Sequence, residues 1–473
     1  MKYLLQRFVL LTGIFLAGFA PRLSAQTLTT LFTNGPTSNR INIVLLAEGY
    51  QSIESNKFIT DAISMAANLM SAPPYSEYTN YFNAYAIFTA STNSGANHTT
   101  SGFTNNTYFN STYNSYGTPQ LITIPPNDRD SNYNDGKGRV INLLTNLMPE
   151  YDIPILVVND PIYGGSGNTP DTPNPLIIVS LSSYKATVVV HESGHMIGGL
   201  ADEYTDPAPA QTNLIQRPNA TTNTTTNLIP WMPWLNPDAP IPTPDNGAYT
   251  GMIGLWLGAQ YHTNLWYRPT YGECIMNSIQ YIGGFCPICT EAVTRGVYQK
   301  IQAVDSFAPA TNNNNLALTS TNAVTFTATP LQPTTHNLSL QWFTNGVAAA
   351  GATNSTFTLL PQNFTNGSTN TVQIQTHDPT PLVRSDPNNY LSNSVSWNVT
   401  MRLSSLQLIS PQWFAGGQFT FAVTGAAPFG FVVQASTNLF NWSPVSTNSL
   451  INGVFNYTNT PGLHLRFYRA VAN

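Results

Sequence analysis

The chain has 473 residues, room for about two to four domains. Lys and Arg number 17 against 22 Asp and Glu, a net charge of −5 that excludes a general nucleic-acid binder. Charged residues make up only 8% of the chain, but aromatics reach 11%, so packed cores are expected and disorder is excluded.

Residues 1–25 read as an export signal. Lys2 and Arg7 supply the positive start, and Phe8 to Ala20 form a short apolar run ended by Pro21. Leu23-Ser24-Ala25 offers a small residue for cleavage. The run is shorter than the roughly 20 apolar residues that a membrane span needs. No later segment is long and apolar enough to span a membrane. The expected location is therefore extracellular, either secreted or at the cell surface.

Residues 40–47, from Arg40 to Ala47, read as a buried strand ahead of Glu48-Gly49-Tyr50, a segment that could line a cleft. Phe58, Ala62, Met65, Ala66, Leu69 and Met70 recur at helical spacing until Pro73-Pro74. Residues 81–88, 153–158 and 176–179 read as further strands, with a Gly-rich loop expected at Gly164-Gly165-Ser166-Gly167. Alternating strands and helices predict an α/β or α+β domain over residues 26–305. The Pro-, Asn- and Thr-rich stretch 205–245 predicts a long surface loop that could border the cleft.

Beyond residue 306 the style changes. From 310 to 473 there is no Lys and no Glu. Short alternating runs separated by turns such as Asn345-Gly346 and Asn366-Gly367 predict two all-β modules. The first, residues 306–402, is expected to be an immunoglobulin-like sandwich with Trp342 in its core, although the usual Cys pair is absent. The second, residues 403–473, is β-rich. Both suit a spacer or attachment role, and exposed Trp413 or Trp442 would suit glycan or cell-surface binding.

The chemistry concentrates in Val188-Val189-Val190-His191-Glu192-Ser193-Gly194-His195-Met196-Ile197-Gly198-Gly199-Leu200-Ala201-Asp202-Glu203-Tyr204. On a helix, residues four apart share a face, so His191 and His195 can reach one cation. Glu192 points in a neighbouring direction and suits a general base acting on water activated by that cation, expected to be Zn²⁺. A third protein ligand is needed. On a straight helix Asp202 would lie about 10 Å beyond His195, out of reach. Gly198-Gly199 is where the helix can stop and return Asp202 to the ion. Asp202 is the first candidate, Glu203 the second and His262 the third. Met276 could floor the site or simply fill a core gap, and Tyr204 or Tyr267 could donate a hydrogen bond to an oxyanion. Cys286-Pro287-Ile288-Cys289 resembles half a zinc knuckle, but with Cys274 there are only three cysteines. In an exported protein a disulfide from Cys274 to Cys286 or Cys289 is then expected.

These motifs resemble the IgA-peptidase family of zinc metallopeptidases. The resemblance covers about residues 40–302. It includes Ile43 to Tyr50, Pro73 to Glu77, Tyr163 to Gly167, the His191–Tyr204 stretch, Tyr267-Arg268-Pro269, Cys274-Ile275-Met276 and Phe285 to Cys289. Ser193 departs from the aromatic residue common in the family. The resemblance implies a zinc endopeptidase with a metzincin-like catalytic domain, His191 and His195 as ligands, and Glu192 as the catalytic residue. The expected substrate is an extracellular protein or peptide. Two other readings stay open at this point: an adhesion or binding protein with a vestigial peptidase domain, and a zinc amidase acting on cell-wall peptides.

Overall fold

The computed structural model describes residues 26–98, 104–205, 214–310, 317–320, 322–365, 367–401, 406–425, 430–449, 454–459 and 466–472. The expected export signal, the stretch 206–213 and Asn366 lie outside the described residues.

The first domain is built on one six-stranded sheet in the order β1-β3-β2-β6-β8-β7. Four strands run parallel in its centre: β3 (Phe82–Phe88), β2 (Ile41–Glu48), β6 (Ile153–Val158) and β8 (Ile177–Ser180). Antiparallel edge strands close it, β1 (Thr27–Phe32) beside β3 and β7 (Gly165–Gly167) beside β8. Parallel strands are covered on both faces, which is why the chain writes them as continuous apolar runs. Residues Ile43, Leu45 and Ala47 of β2 enter one core; Val44 and Leu46 enter the other. The first core receives three helices: α1 (Ser55–Ser71), α3 (Lys185–Gly198) and α4 (Pro287–Tyr298). The second receives α2 (Lys137–Leu147) through Val140, Leu143 and Leu144. Two short parallel strands, β4 (Asn97–His98) and β5 (Thr112–Tyr113), and a hairpin of β9 (Trp256–Ala259) and β10 (His262–Arg268) lie outside the sheet.

The six apolar positions read as helical in the sequence are the buried face of α1. Each such side chain contributes roughly 1.5–3 kcal/mol when fully buried. Helix α2 was not foreseen; its sequence, Lys137-Gly138-Arg139-Val140-Ile141-Asn142-Leu143-Leu144, mixes Gly and Asn into a short pattern that tertiary packing completes. Two further expectations need correction. Gly165–Gly167 forms strand β7 rather than a loop. Glu48 does not line a cleft: it is fully buried and accepts hydrogen bonds from Thr107 Oγ1 (2.6 Å) and from the backbone N–H groups of Phe109 and Ser111.

Among the described residues from Val304 onward the chain is built of β-strands, with one short 3-10 turn at Pro361–Asn363. Strands β11 (Val304–Ala308), β13 (Val324–Pro330) and β16 (Thr356–Leu359) form one sheet. A second contains β12 (Ala317–Ser320), β18 (Ser392–Met401), β17 (Thr369–His377), β14 (Ser339–Thr344) and β15 (Val347–Ala348). Trp342 and Trp397 stack in the core between them, ring centres 5.9 Å apart. This module is fastened to the first domain. Asp378 Oδ2 accepts from Tyr78 (2.8 Å) and Tyr298 (2.6 Å), and Oδ1 meets His336 at 2.6 Å. Arg40 pairs with both oxygens of Asp305. The last module has two three-stranded sheets, β19 (Gln407–Trp413), β20 (Phe419–Thr424) and β23 (Val454–Asn459), then β22 (Ser443–Ser449), β21 (Gly430–Ser436) and β24 (Phe467–Ala472). Among the described residues its buried core consists of Phe421, Val423, Phe431 and Val433. Trp413 is 67% exposed, whereas Trp442 is covered by the Arg469 guanidinium, 4.4 Å above its ring. Among the described residues no helix is long and apolar enough to cross a membrane.

Candidate metal and catalytic site

Helix α3 begins at Lys185, six residues before His191, and runs through the core. Val188, Val189 and Val190 anchor it among buried residues. It ends where Gly199 adopts φ +61°, a left-handed conformation that glycine reaches without a Cβ clash. The Gly199 N–H donates to His195 O at 3.1 Å, and the Leu200 N–H to Gly194 O at 3.3 Å. That reversal returns Asp202 to the two histidines.

His191 Nε2, His195 Nε2 and Asp202 Oδ1 form a triangle with edges of 3.3, 3.0 and 3.4 Å. The outer ring nitrogens fix the tautomers. His191 Nδ1 lies 2.9 Å from Ile275 O and His195 Nδ1 lies 2.8 Å from Leu200 O. A carbonyl only accepts, so both Nδ1 atoms carry the hydrogen and both Nε2 lone pairs face inward. Asp202 Oδ1 is buried without a hydrogen-bond partner; the 3.0 Å approach of His191 Nε2 lacks hydrogen-bond alignment. Three lone pairs therefore converge on one point. Ligands about 2.0–2.1 Å from a tetrahedral ion stand roughly 3.3 Å apart, so the donor set fits a divalent cation. Without one, a proton is the substitute. Burial pulls His195 down, but the Asp202 carboxylate more than offsets it and lifts the imidazole to about 9. Asp202 is itself driven far below the usual carboxylate range; the two histidines outweigh its burial.

The residues around the triangle hold it. Tyr261 donates its phenol hydrogen to Asp202 Oδ2, and the Gln260 N–H donates to Asp202 O at 2.9 Å. Tyr261 was missed in the sequence because it stands 59 residues from Asp202, beyond any local spacing. Met276 is fully buried beneath α3, where a Cβ at Gly194 would lie 3.0 Å from its Sδ. Ser193 points away from the cage and meets Tyr75 Oη at 2.8 Å.

Glu192 Oε2 lies 3.9 Å from His195 Nε2. Burial raises its carboxyl pKa, opposed by the histidines. Strand β7 is glycine-rich because Glu192 lies against it: a Cβ at Gly167 would meet Oε2 at 2.7 Å. A cleft of about 350 Å³ opens here, lined by Gly165, Gly167, His191, Glu192, Tyr204 and Tyr261 among others. A second hollow of about 230 Å³ continues past His195 and Asp202 toward Leu214, Ile215 and Arg217. The Tyr204 ring lies beside His191, centres 6.5 Å apart, and burial raises its phenol pKa. Tyr267 is not among the residues of either cavity; it bonds to Thr221 through its backbone.

The other candidates for third ligand are placed elsewhere. His262 opens strand β10 and belongs to neither donor group. Glu203 turns away from the triangle toward Cys274, Cys286 and Cys289. Its carboxyl pKa is raised well above the ordinary value by burial and by Cys274. The expected disulfide is absent: all three cysteines are free, buried thiols, and Cys274 and Cys289 have their Sγ atoms 3.7 Å apart. Counting cysteines alone missed the carboxylate that joins them.

Comparison with known proteins gives one family. Residues 29–248 match the sequence profile described as IgA Peptidase M64. No curated protein matches the chain. Among solved structures, fibronectin(III)-like modules of Clostridium thermocellum CbhA share 6% identity at a TM-score of 0.14, covering 35% of this chain and 85% of theirs. The chicken CNTN1 FN1–FN3 domains share 9% at 0.15, covering 33% and 57%. Bacteroides uniformis beta-glucuronidase 3 shares 7% at 0.13, covering 39% and 26%. Likenesses at these TM-scores carry no argument about fold or function.

Proposed function

We propose that the chain, whose residues 29–248 match the profile described as IgA Peptidase M64, is a zinc-dependent endopeptidase of metzincin-like fold that hydrolyses extracellular proteins. The observation that carries this reading is the convergence of His191 Nε2, His195 Nε2 and the partnerless Asp202 Oδ1 at a cleft wall that also holds Glu192. His191, His195 and Asp202 would hold the ion. When bound, such an ion supplies Lewis acidity, polarising a carbonyl and bringing the pKa of water toward about 7.

The chain's own residues do the rest. Glu192 accepts a proton from the attacking water and passes it to the leaving amine, a role its raised pKa favours because the carboxyl must both take and give the proton. Ile275 O and Leu200 O fix the imidazoles, and Tyr261 fixes the carboxylate, so the donors need no reorganisation. Tyr204, a neutral phenol whose pKa burial raises further, is the donor assigned to a developing oxyanion. Strand β7 lies along the cleft, where its Gly165 N–H is already bonded to Gln120 O at 3.3 Å.

The N-terminal export signal supports action outside the cell, and the last module, with Trp413 exposed, is assigned an attachment role at a cell surface or glycan. The deciding test combines metal analysis with casein hydrolysis by the wild type and Glu192→Ala. The variant should retain its metal and lose activity. Equal activity in both proteins would overturn the assignment.

A further inference from the structure

The four donors Glu203, Cys274, Cys286 and Cys289 all lie within 4.8 Å of one another, and all four residues are buried. They come from three separated pieces of chain. Glu203 follows Asp202 on the segment after α3. Cys274 sits in the turn before Met276. Cys286 caps α4, and Cys289 lies in that helix's first turn. We propose that this cluster is a second, structural metal site, taking a zinc-like divalent cation with three thiolates and one carboxylate.

Geometry and polar accounting both favour an ion here. Thiolates about 2.3 Å from a tetrahedral ion stand roughly 3.7–3.8 Å apart, and Cys274 Sγ to Cys289 Sγ is 3.7 Å. Cys289 Sγ lies 3.2 Å from Glu203 Oε1, close to the edge expected between a sulfur and an oxygen ligand. Glu203 Oε2 is buried with no hydrogen-bond partner, and a buried polar atom of that kind is costly unless something satisfies it. The Cys286 N–H approaches Cys274 Sγ at 3.3 Å, a contact that supports a sulfur carrying negative charge. A Cys274–Cys289 disulfide would account for only two of the four groups, leaving Cys286 outside the bridge and Glu203 Oε2 buried and unsatisfied. Thiolate donors select a borderline-soft ion such as Zn²⁺ over Mg²⁺ or Ca²⁺. Four protein donors leave no position for substrate, the mark of a structural site.

The site ties together what the first cage needs. Glu203 is bonded to Asp202, and its N–H donates to Met276 O at 2.8 Å. Cys274 is bonded to Ile275, whose carbonyl orients His191. An ion on Glu203 and Cys274 therefore fixes both the third donor and one imidazole. This last consequence rests on the peptidase reading; the existence of the site does not.

The test uses the full-length protein, loaded with Zn²⁺ or Co²⁺ under reducing conditions. Two ions per chain are expected, and the Co²⁺ form should show intense ultraviolet thiolate-to-cobalt bands. His195→Ala should drop to one ion and keep those bands. Cys286→Ala/Cys289→Ala should lose the bands. In the wild type, which avoids any folding defect, the cysteines should resist alkylation until a chelator is added. One ion per chain without thiolate bands, or a Cys274–Cys289 disulfide found by mass spectrometry of the unreduced protein, would overturn the proposal. Two ions with thiolate bands and no peptidase activity would instead refute the peptidase reading and leave this one standing.

Discussion

Asp202 and Glu203 are neighbours in sequence, yet they face two donor groups of opposite character. Asp202 meets two imidazoles at the wall of a cleft of about 350 Å³. Glu203 meets three sulfurs in a buried pocket. The chain is in neither helix nor strand at residues 201–205, and one step along it separates the two groups. The difference lies in access and softness. Imidazole nitrogens and a carboxylate oxygen beside a cavity leave a position for a reacting molecule, whereas a closed set of three soft sulfurs and one carboxylate holds chain segments together.

The largest expected effect comes from His195→Ala. It should abolish peptide hydrolysis and remove the cage ion while leaving the thiolate site loaded, as read by metal analysis and casein hydrolysis. Loss of both ions would break the separation between the two groups. Glu192→Gln should lower kcat by about 10²–10⁴-fold with metal content unchanged, since it removes a proton carrier and no ligand. Tyr261→Phe removes the donor to Asp202 Oδ2. It should weaken the cage ion by roughly 10–100-fold in chelator competition and leave the thiolate bands untouched.

The smallest effect serves as a control remote from both groups. Burial would raise the Asp305 carboxyl, but its two hydrogen bonds from Arg40 hold it below the usual carboxylate range. A depressed folded pKa stabilises the protein above the unfolded value, about 3.9 for Asp, and that contribution disappears as pH falls through the folded value. Asp305→Asn should therefore lower the Tm at neutral pH, and the gap to wild type should shrink as pH falls below about 3.9 and close once pH has passed the lower, folded value. Neither metal content nor kcat should change.

The sequence by itself determined what is periodic or closely spaced. The α1 face, the apolar strands, the His191–His195 pair and the stop at Gly199 are all written within a few helical turns. So are the short alternating runs of the β modules. The separation of Asp202 from Glu203 was not legible, because both carboxylates follow the same turn and only the packed loop around Met276 assigns each a side. Tyr261 and the Ile275 carbonyl depend on contacts 59 and 84 residues apart, and the meeting of Cys274 with Glu203 is equally remote in sequence. Nor could spacing reveal that Gly165–Gly167 is a strand whose missing side chains make room for Glu192. Local periodicity reports how one element buries its own face; it carries no record of which distant element will be packed against it. That choice is made by tertiary packing alone.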